Sequence, residues 1–355
     1  MTTSIEAETD NILPKELPLG KLRYIALGYT PQASLHNLHF PALTEFGDER
    51  MLPLHTMRPI PTLSELPYCN DHVQLHTHGF TAVHHTTPLH ISPHDATSFK
   101  NPKLVKEYLA PGTVELMKKL TGCETVVIES FLLRTSVWTE MDSLATHGKD
   151  ASEASELEIS FPQFIGFNPV HGTASPASKI HLDYSAKGAR THIRNFHPSI
   201  AEAAADIIRH EDSLSASGKD LKETYRDSGG RRWALYSVWR PLKTVKRDPL
   251  AVLDCRTLKE VDCVPSEVRT PYLGTGTSGW YLAESLLARY SEGHNWYWIE
   301  EHKPEEVLVL TFFDSDAEAD GRTASGGVFH SSVELPNTQD EAARESLEVR
   351  CLCIW

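Results

Sequence analysis

KIHLDYS, residues 179–185, is the stretch on which the reading of this chain turns. In an extended strand residues i and i+2 project from the same face, so His181 and Asp183 can grip one ion together. A His, a carboxylate and a second, distant His form the facial triad that suits Fe(II) and leaves coordination positions open for other ligands. The chain has 19 histidines, so an HxD match alone is a weak signal. Its weight depends on what the rest of the sequence supplies.

The tail supplies two further pieces. VFHSSVELP, residues 328–336, puts His330 in a strand-like run that ends at a turn around Pro336 and Asn337. RESLEVR, residues 344–350, follows. Arg344 and Ser346 form another i, i+2 pair, so a guanidinium and a hydroxyl can face one pocket and take a carboxylate through charge-assisted bonds. A strand, a turn and a neighbouring antiparallel strand are expected to bring Arg344 close to His330. His294 and His302 compete with His330 as the distal ligand. Arg350, on the same strand face as Arg344, and Arg240 in VWRPL compete as the carboxylate anchor.

The bulk properties frame these motifs. A chain of 355 residues exceeds the common domain size, but elaborated β-barrels run this long as one unit, and 40% hydrophobic residues give it an ordinary globular core. We expect a flexible lead-in over 1–20 and one domain over 21–355. The formal charge of −14 repels phosphate backbones and anionic lipid, so neither nucleic acid nor membrane is expected as a partner. The acidic start MTTSIEAETD lacks the basic and apolar segments of a secretory signal, and no apolar run is long enough to span a bilayer, so a cytoplasmic location is expected. Six scattered cysteines without a CxxC pair read as free thiols, with Cys351 and Cys353 packing on one strand face.

Along the chain, the segment 21–67 reads as irregular cover. Residues 73–85 read as two extended pieces bent at Gly79, and 103–120 as two helices broken at Pro111 and Gly112. Residues 125–133 read as a buried strand and 139–160 as an exposed, acidic insertion. Residues 197–210 form an amphipathic helix. WALYSVW, PLAVLD, NWYWIE, EVLVLTFF, GVFHSSV and SLEVRCLCIW are then β-rich runs with the spacing of a sandwich or closed barrel. The histidines between 72 and 94 match no standard zinc spacing, and they are expected to line the site or sit as polar surface. GTGTSG, 274–279, fits a dinucleotide fingerprint literally and apolar residues at helical spacing follow it, but it comes after SEVRTPYL deep in the β-rich half and not after the clean strand of a βαβ unit, and reads as a loop.

These residues resemble a known family, the fungal asaB-type hydroxylase/desaturases, which include a gibberellin desaturase and are related to the cephamycin methoxylation protein. The likeness rests on HGF at 78–80, HLDYS at 181–185, VWRPL at 238–242, DPLAVLD at 248–254 and NWYWIEEHKPEEVLVLTFFDS at 295–315, followed by His330 and RES at 344–346. The resemblance implies a mainly β protein, a double-stranded β-helix or jelly roll of cupin type with flanking helices. It implies iron ligands at His181, Asp183 and His330, and a 2-oxoglutarate anchor at Arg344 and Ser346. It also implies an oxygenase that uses Fe(II), 2-oxoglutarate and O2 to abstract hydrogen from a small secondary metabolite or amino-acid-derived intermediate, leading to hydroxylation or desaturation. The alternative reading keeps the barrel and the metal but activates water, as a hydrolase or isomerase does.

Overall fold

The computed structural model describes residues 17–31, 46–70, 72–137, 156–167, 174–272, 279–323 and 326–355. Among them, β1 (Leu19–Tyr24), β2 (Asp48–Thr56), β6 (His181–Leu182), β8 (Leu250–Leu253), β9 (Cys263–Pro271), β10 (Trp280–Ala288), β11 (Trp296–Trp298) and β13 (His330–Ser332) form an eight-stranded sheet. Its order is β1-β2-β11-β8-β13-β6-β10-β9. A six-stranded sheet runs β3 (Phe80–His84), β12 (Glu306–Asp314), β7 (Trp233–Pro241), β14 (Ser346–Ile354), β4 (Thr125–Arg134), β5 (Gln163–Ile165). The fold is mostly β, with two curled sheets forming a jelly-roll core.

The six-stranded sheet is covered on both faces, and its central strands show it in their composition. Every residue of β7 and of β12 is buried, which is why these segments read as unbroken apolar runs rather than alternating ones. Alternation survives only as a division of labour. On β14, Leu347, Val349, Cys351 and Cys353 join an outer core with Phe131 of β4 and Leu116 and Met117 of α1 (Ala110–Thr121). The intervening Ser346, Glu348 and Arg350 turn inward. The cysteines of β14 are therefore core residues, and the six cysteines are free.

Several segments differ from their sequence reading. Residues 19–24 and 48–56 are not irregular cover: β1 and β2 pair along six register positions and extend the large sheet. The stretch before Gly79 is a helical turn, Leu75–His78, that ends at Gly79 in the left-handed region (φ 84°), where glycine carries no Cβ penalty. Pro111 does not end the helix, because residues 102–121 are helical without a break and the wide π-helical turn directly before Pro111 accommodates its missing N–H. The irregularity lies upstream, in a π-helical turn at Val105–Leu109. The 197–210 helix is two helices, α3 (Pro198–Ala203) and α4 (Ala205–Ala216). They are preceded by α2 (Ala186–Asn195), whose N-cap Ser185 accepts from the Gly188 amide. Residues 1–16, most of the 139–160 stretch read as an insertion, and residues 273–278 of the segment read as a loop lie outside the described residues.

α2 lies so close to β10 that a Cβ on Gly188 would stand 1.9 Å from the Glu284 carbonyl oxygen. Backbone cannot yield there, so Gly188→Ala is expected to cost about 1–3 kcal/mol, read as a lower urea midpoint. A wild-type midpoint would refute the tight contact.

Buried histidines set a second expectation. Burial lowers His302 to about 3, and burial together with Arg240 lowers His85 to about 4, against 6.5 in the open chain. The folded state thus binds fewer protons than the unfolded state between those values, and stability is lost as pH falls below about 6.5. The unfolding midpoint is expected to drop from pH 7 to 5, with His302 alone contributing up to about 1.4 kcal/mol per pH unit. A midpoint flat over that range would contradict it.

Candidate active site

Strand pairing brings the two candidate imidazoles together. His330 of β13 stands directly opposite His181 of β6 in antiparallel register, with ring centroids 4.4 Å apart. Asp183 follows two residues after His181 and turns to the same side. One ligand atom from each of His181, Asp183 and His330 lies within 4.8 Å of the others, the one such group of three among the described residues. His294 and His302 are elsewhere. His294 is held by the Tyr24 hydroxyl and Asp262. His302 is not exposed: it is buried, with Nε2 3.0 Å from the Glu306 carbonyl oxygen.

The protonation chemistry suits a cation. The Nδ1 of His181 lies 2.7 Å from the Lys179 carbonyl oxygen, and that of His330 lies 3.4 Å from Val328 O. An Nδ1–H pointed at a carbonyl leaves the Nε2 lone pair for a metal. Burial lowers His181 to about 3 and His330 below its ordinary value, so both are neutral at pH 7. Burial also raises Asp183, but Arg350 and the two imidazoles outweigh it and hold the carboxyl below the usual range. Its Oδ1 accepts from Arg350 Nη2 at 2.8 Å. Its Oδ2 is buried without a hydrogen-bond partner, 3.4 Å from His330 Nε2. Lone pairs converging on one point with no proton between them fit a hard or borderline cation, so the residues fit Fe(II).

A cavity of about 380 Å³, counting its open part, adjoins the imidazoles. Arg344, Trp239, Leu250, Leu310 and Ser332 are among its lining. Arg344 does not reach the site as a neighbour of His330, because β13 and β14 belong to different sheets; it faces across the space between them. Its Nη1 donates to Asp248 O at 2.6 Å, and its guanidinium lies 5.2 Å over the Trp239 ring. Its Nε and the Ser346 hydroxyl are buried with no hydrogen-bond partner. Burial, then the charge of Arg134, lowers Arg344 to about 9. A buried guanidinium with an unpartnered Nε beside an unpartnered hydroxyl offers the donors that a carboxylate accepts from.

The rival anchors part company here. Arg350 also lines the cavity, but its guanidinium is spent on Asp183 and on Glu348, each at 2.8 Å. Arg240 is on the opposite face of β7, bonded to His85 and the Pro304 carbonyl, so it cannot contact a ligand in this cavity. The histidines of 72–94 do not line it either. His72 bonds Ala82 O, and His90 packs on Phe99. Arg134, which ends the run TVVIESFLL, lines the cavity although no motif surrounds it. Only its register opposite Ser346 reveals it.

The comparisons agree with this architecture. The profile of the Oxidoreductase/YMDC permease-like domain matches residues 62–354. Oxidoreductase chry3 of Gibberella zeae is 35% identical over 95% of this chain and 98% of its own. The gibberellin cluster GA4 desaturase of Gibberella fujikuroi is 32% identical over 98% and 99%. The solved iron and alpha-ketoglutarate-dependent endoperoxidase NvfI shares the fold, with TM-score 0.56 at 19% identity over 96% of this chain and 99% of that one. The chain belongs to the oxidoreductase family of that profile, the fungal asaB-type hydroxylase/desaturases, which are Fe(II)- and 2-oxoglutarate-dependent dioxygenases acting on small molecules in secondary metabolism.

Proposed function

We propose that residues 21–355 act as one catalytic unit in which His181, Asp183 and His330 hold Fe(II), and Arg344 with Ser346 receives the far carboxylate of 2-oxoglutarate. The product would be a hydroxylated or desaturated secondary metabolite or amino-acid-derived intermediate. The observation that carries the reading is the meeting of one ligand atom each from His181, Asp183 and His330 within 4.8 Å, with the buried Asp183 Oδ2 lacking a hydrogen-bond partner 3.4 Å from His330 Nε2. When bound, iron with 2-oxoglutarate and O2 supplies an oxidant able to remove hydrogen from an unactivated C–H bond, with succinate and CO2 as coproducts.

The protein's own residues bind, orient and keep the site dry. Lys179 O and Val328 O fix which nitrogen each imidazole presents. Phe312 stacks on His330 with centroids 5.5 Å apart and limits its rotation. Arg350 fixes the rotamer of Asp183 and keeps it ionised. Trp239, Leu250 and Leu310 exclude water from the cavity that Arg344 closes, which strengthens the pairing of that guanidinium with a carboxylate. Which bond of the substrate is attacked depends on placement within the open part of the cavity. Among the described residues no helix is long and apolar enough to cross a membrane, in keeping with the cytoplasmic location we propose.

The test is succinate formation from 2-oxoglutarate in air with added Fe(II), with and without candidate substrates. Succinate that depends on Fe(II) and on 2-oxoglutarate is the expected result. Metal retention without any consumption of 2-oxoglutarate would overturn the reading in favour of a water-activating hydrolase or isomerase, in which Arg344 and Ser346 would have no task.

A further inference from the structure

Three guanidiniums line the cavity, those of Arg134, Arg344 and Arg350. Arg350 is neutralised by its contacts with Asp183 and Glu348. Among the described residues the other two donate to uncharged oxygens. Arg344 donates to Asp248 O and approaches Ser332 Oγ, while Arg134 donates to Ser175 O. Three positive groups against the carboxylates of Asp183 and Glu348 leave one positive charge in a partly dry space, which favours uptake of an anion.

Strand register says where that anion sits. Arg134 of β4 is directly opposite Ser346 of β14, so the two side chains lie on the same face of the sheet, with Cβ atoms about 5 Å apart. Arg344 stands two residues before Ser346. The chain 174–177 closes the arrangement: Arg134 is bridged to Ala174 and bonds Ser175 O. Ala177 O accepts from the amide of Ser332, the residue whose hydroxyl Arg344 approaches. Arg134, Ser346, Ser332 and Arg344 therefore surround one end of the cavity, and Arg134 is the charge that most perturbs Arg344.

We propose that Arg134 is the second arm of the cosubstrate receptor: Arg134 and Arg344, on adjacent segments flanking Ser346, together clamp the far carboxylate of 2-oxoglutarate. The proposal rests on the reading of Arg344 and Ser346 given above. Two guanidiniums around one carboxylate satisfy more of its lone pairs than one can. The clamp also explains why a like-charged pair is tolerated here, since the ligand carboxylate screens each from the other.

Because the clamp grips the end of the molecule remote from the metal, it can be measured without metal. Glutarate, which has the far carboxylate but no keto acid, is titrated calorimetrically into metal-free protein, and 2-oxoglutarate into the Mn(II)-loaded protein. Arg134→Gln retains a donor for the Ser175 carbonyl and removes the charge, and a thermal melt checks its folding. Loss of a charged hydrogen-bond partner predicts a Kd about 10- to 100-fold higher for both ligands. Arg134→Lys, which keeps the charge without the fork, is expected to fall between that variant and the wild type. Arg344→Met is the control for the underlying reading. If it loses glutarate while both Arg134 variants bind within about twofold of wild type, the clamp is wrong and the anchor stands. If Arg344→Met binds like wild type, the anchor itself is wrong.

Discussion

Asp183→Asn is expected to yield a folded protein that no longer retains iron through gel filtration and turns over 2-oxoglutarate more than about 100-fold more slowly. The bound follows from geometry: loss of a group that merely orients a metal ligand typically costs 10- to 100-fold, and Asp183 is proposed as a ligand itself. The amide keeps the shape of the side chain but removes its charge. Arg350 remains paired with Glu348, so the substitution does not strand a guanidinium. Two neutral imidazoles, opposed across β6 and β13, would then face the metal without an anionic partner. Iron content and succinate formation are measured side by side. Iron retention and turnover at wild-type levels in Asp183→Asn would remove the aspartate from the metal site.

Arg344→Met should separate binding from stability. Its guanidinium is buried, has an orphan Nε, and is lowered to about 9 by burial and by Arg134. The charge is therefore held in the ligand-free protein at a cost that a carboxylate relieves. Truncating one partner of a buried charged pair costs about 2–5 kcal/mol, so Kd for 2-oxoglutarate should rise by roughly 30- to several thousand-fold at 1.4 kcal/mol per decade. The ligand-free protein should gain stability by about 1–3 kcal/mol, since an imperfectly satisfied buried cation is replaced by a well-packed thioether. Melting with and without ligand reads both effects. A Tm below wild type without ligand would show that Arg344 is a structural cation and not a receptor.

The runs that became β7, β12 and β14 are legible because near-continuous burial forces β-branched, aromatic and aliphatic residues into them, and the buried second half of β4 does the same. The first half was harder. β1 and β2 carry Lys21 and Arg50, which are partly exposed, and Arg23, which is buried in ion pairs with Glu49 and Glu334, so neither periodicity nor apolarity marks them. The β9 and β10 pair was hidden because its apolar residues do not all face inward: Trp280 and Leu282 are exposed. His302 sits among four glutamates and one lysine, yet its chain turns inward over Trp239.

The sequence by itself determined the chemical inventory: an i, i+2 pair at His181 and Asp183, a second pair at Arg344 and Ser346, and apolar strands enough to roll into a closed sheet. Strand alternation is local, so these facings follow from two or three neighbouring residues. Only the tertiary structure decided which partners the inventory meets. It opposed His330 to His181 by register, turned Arg240 to the outer face, spent Arg350 on Asp183, and set the unremarkable Arg134 opposite Ser346. Such pairings join segments as much as 212 residues apart. They are fixed by the register in which whole strands bury their apolar faces, which no short stretch of the chain encodes.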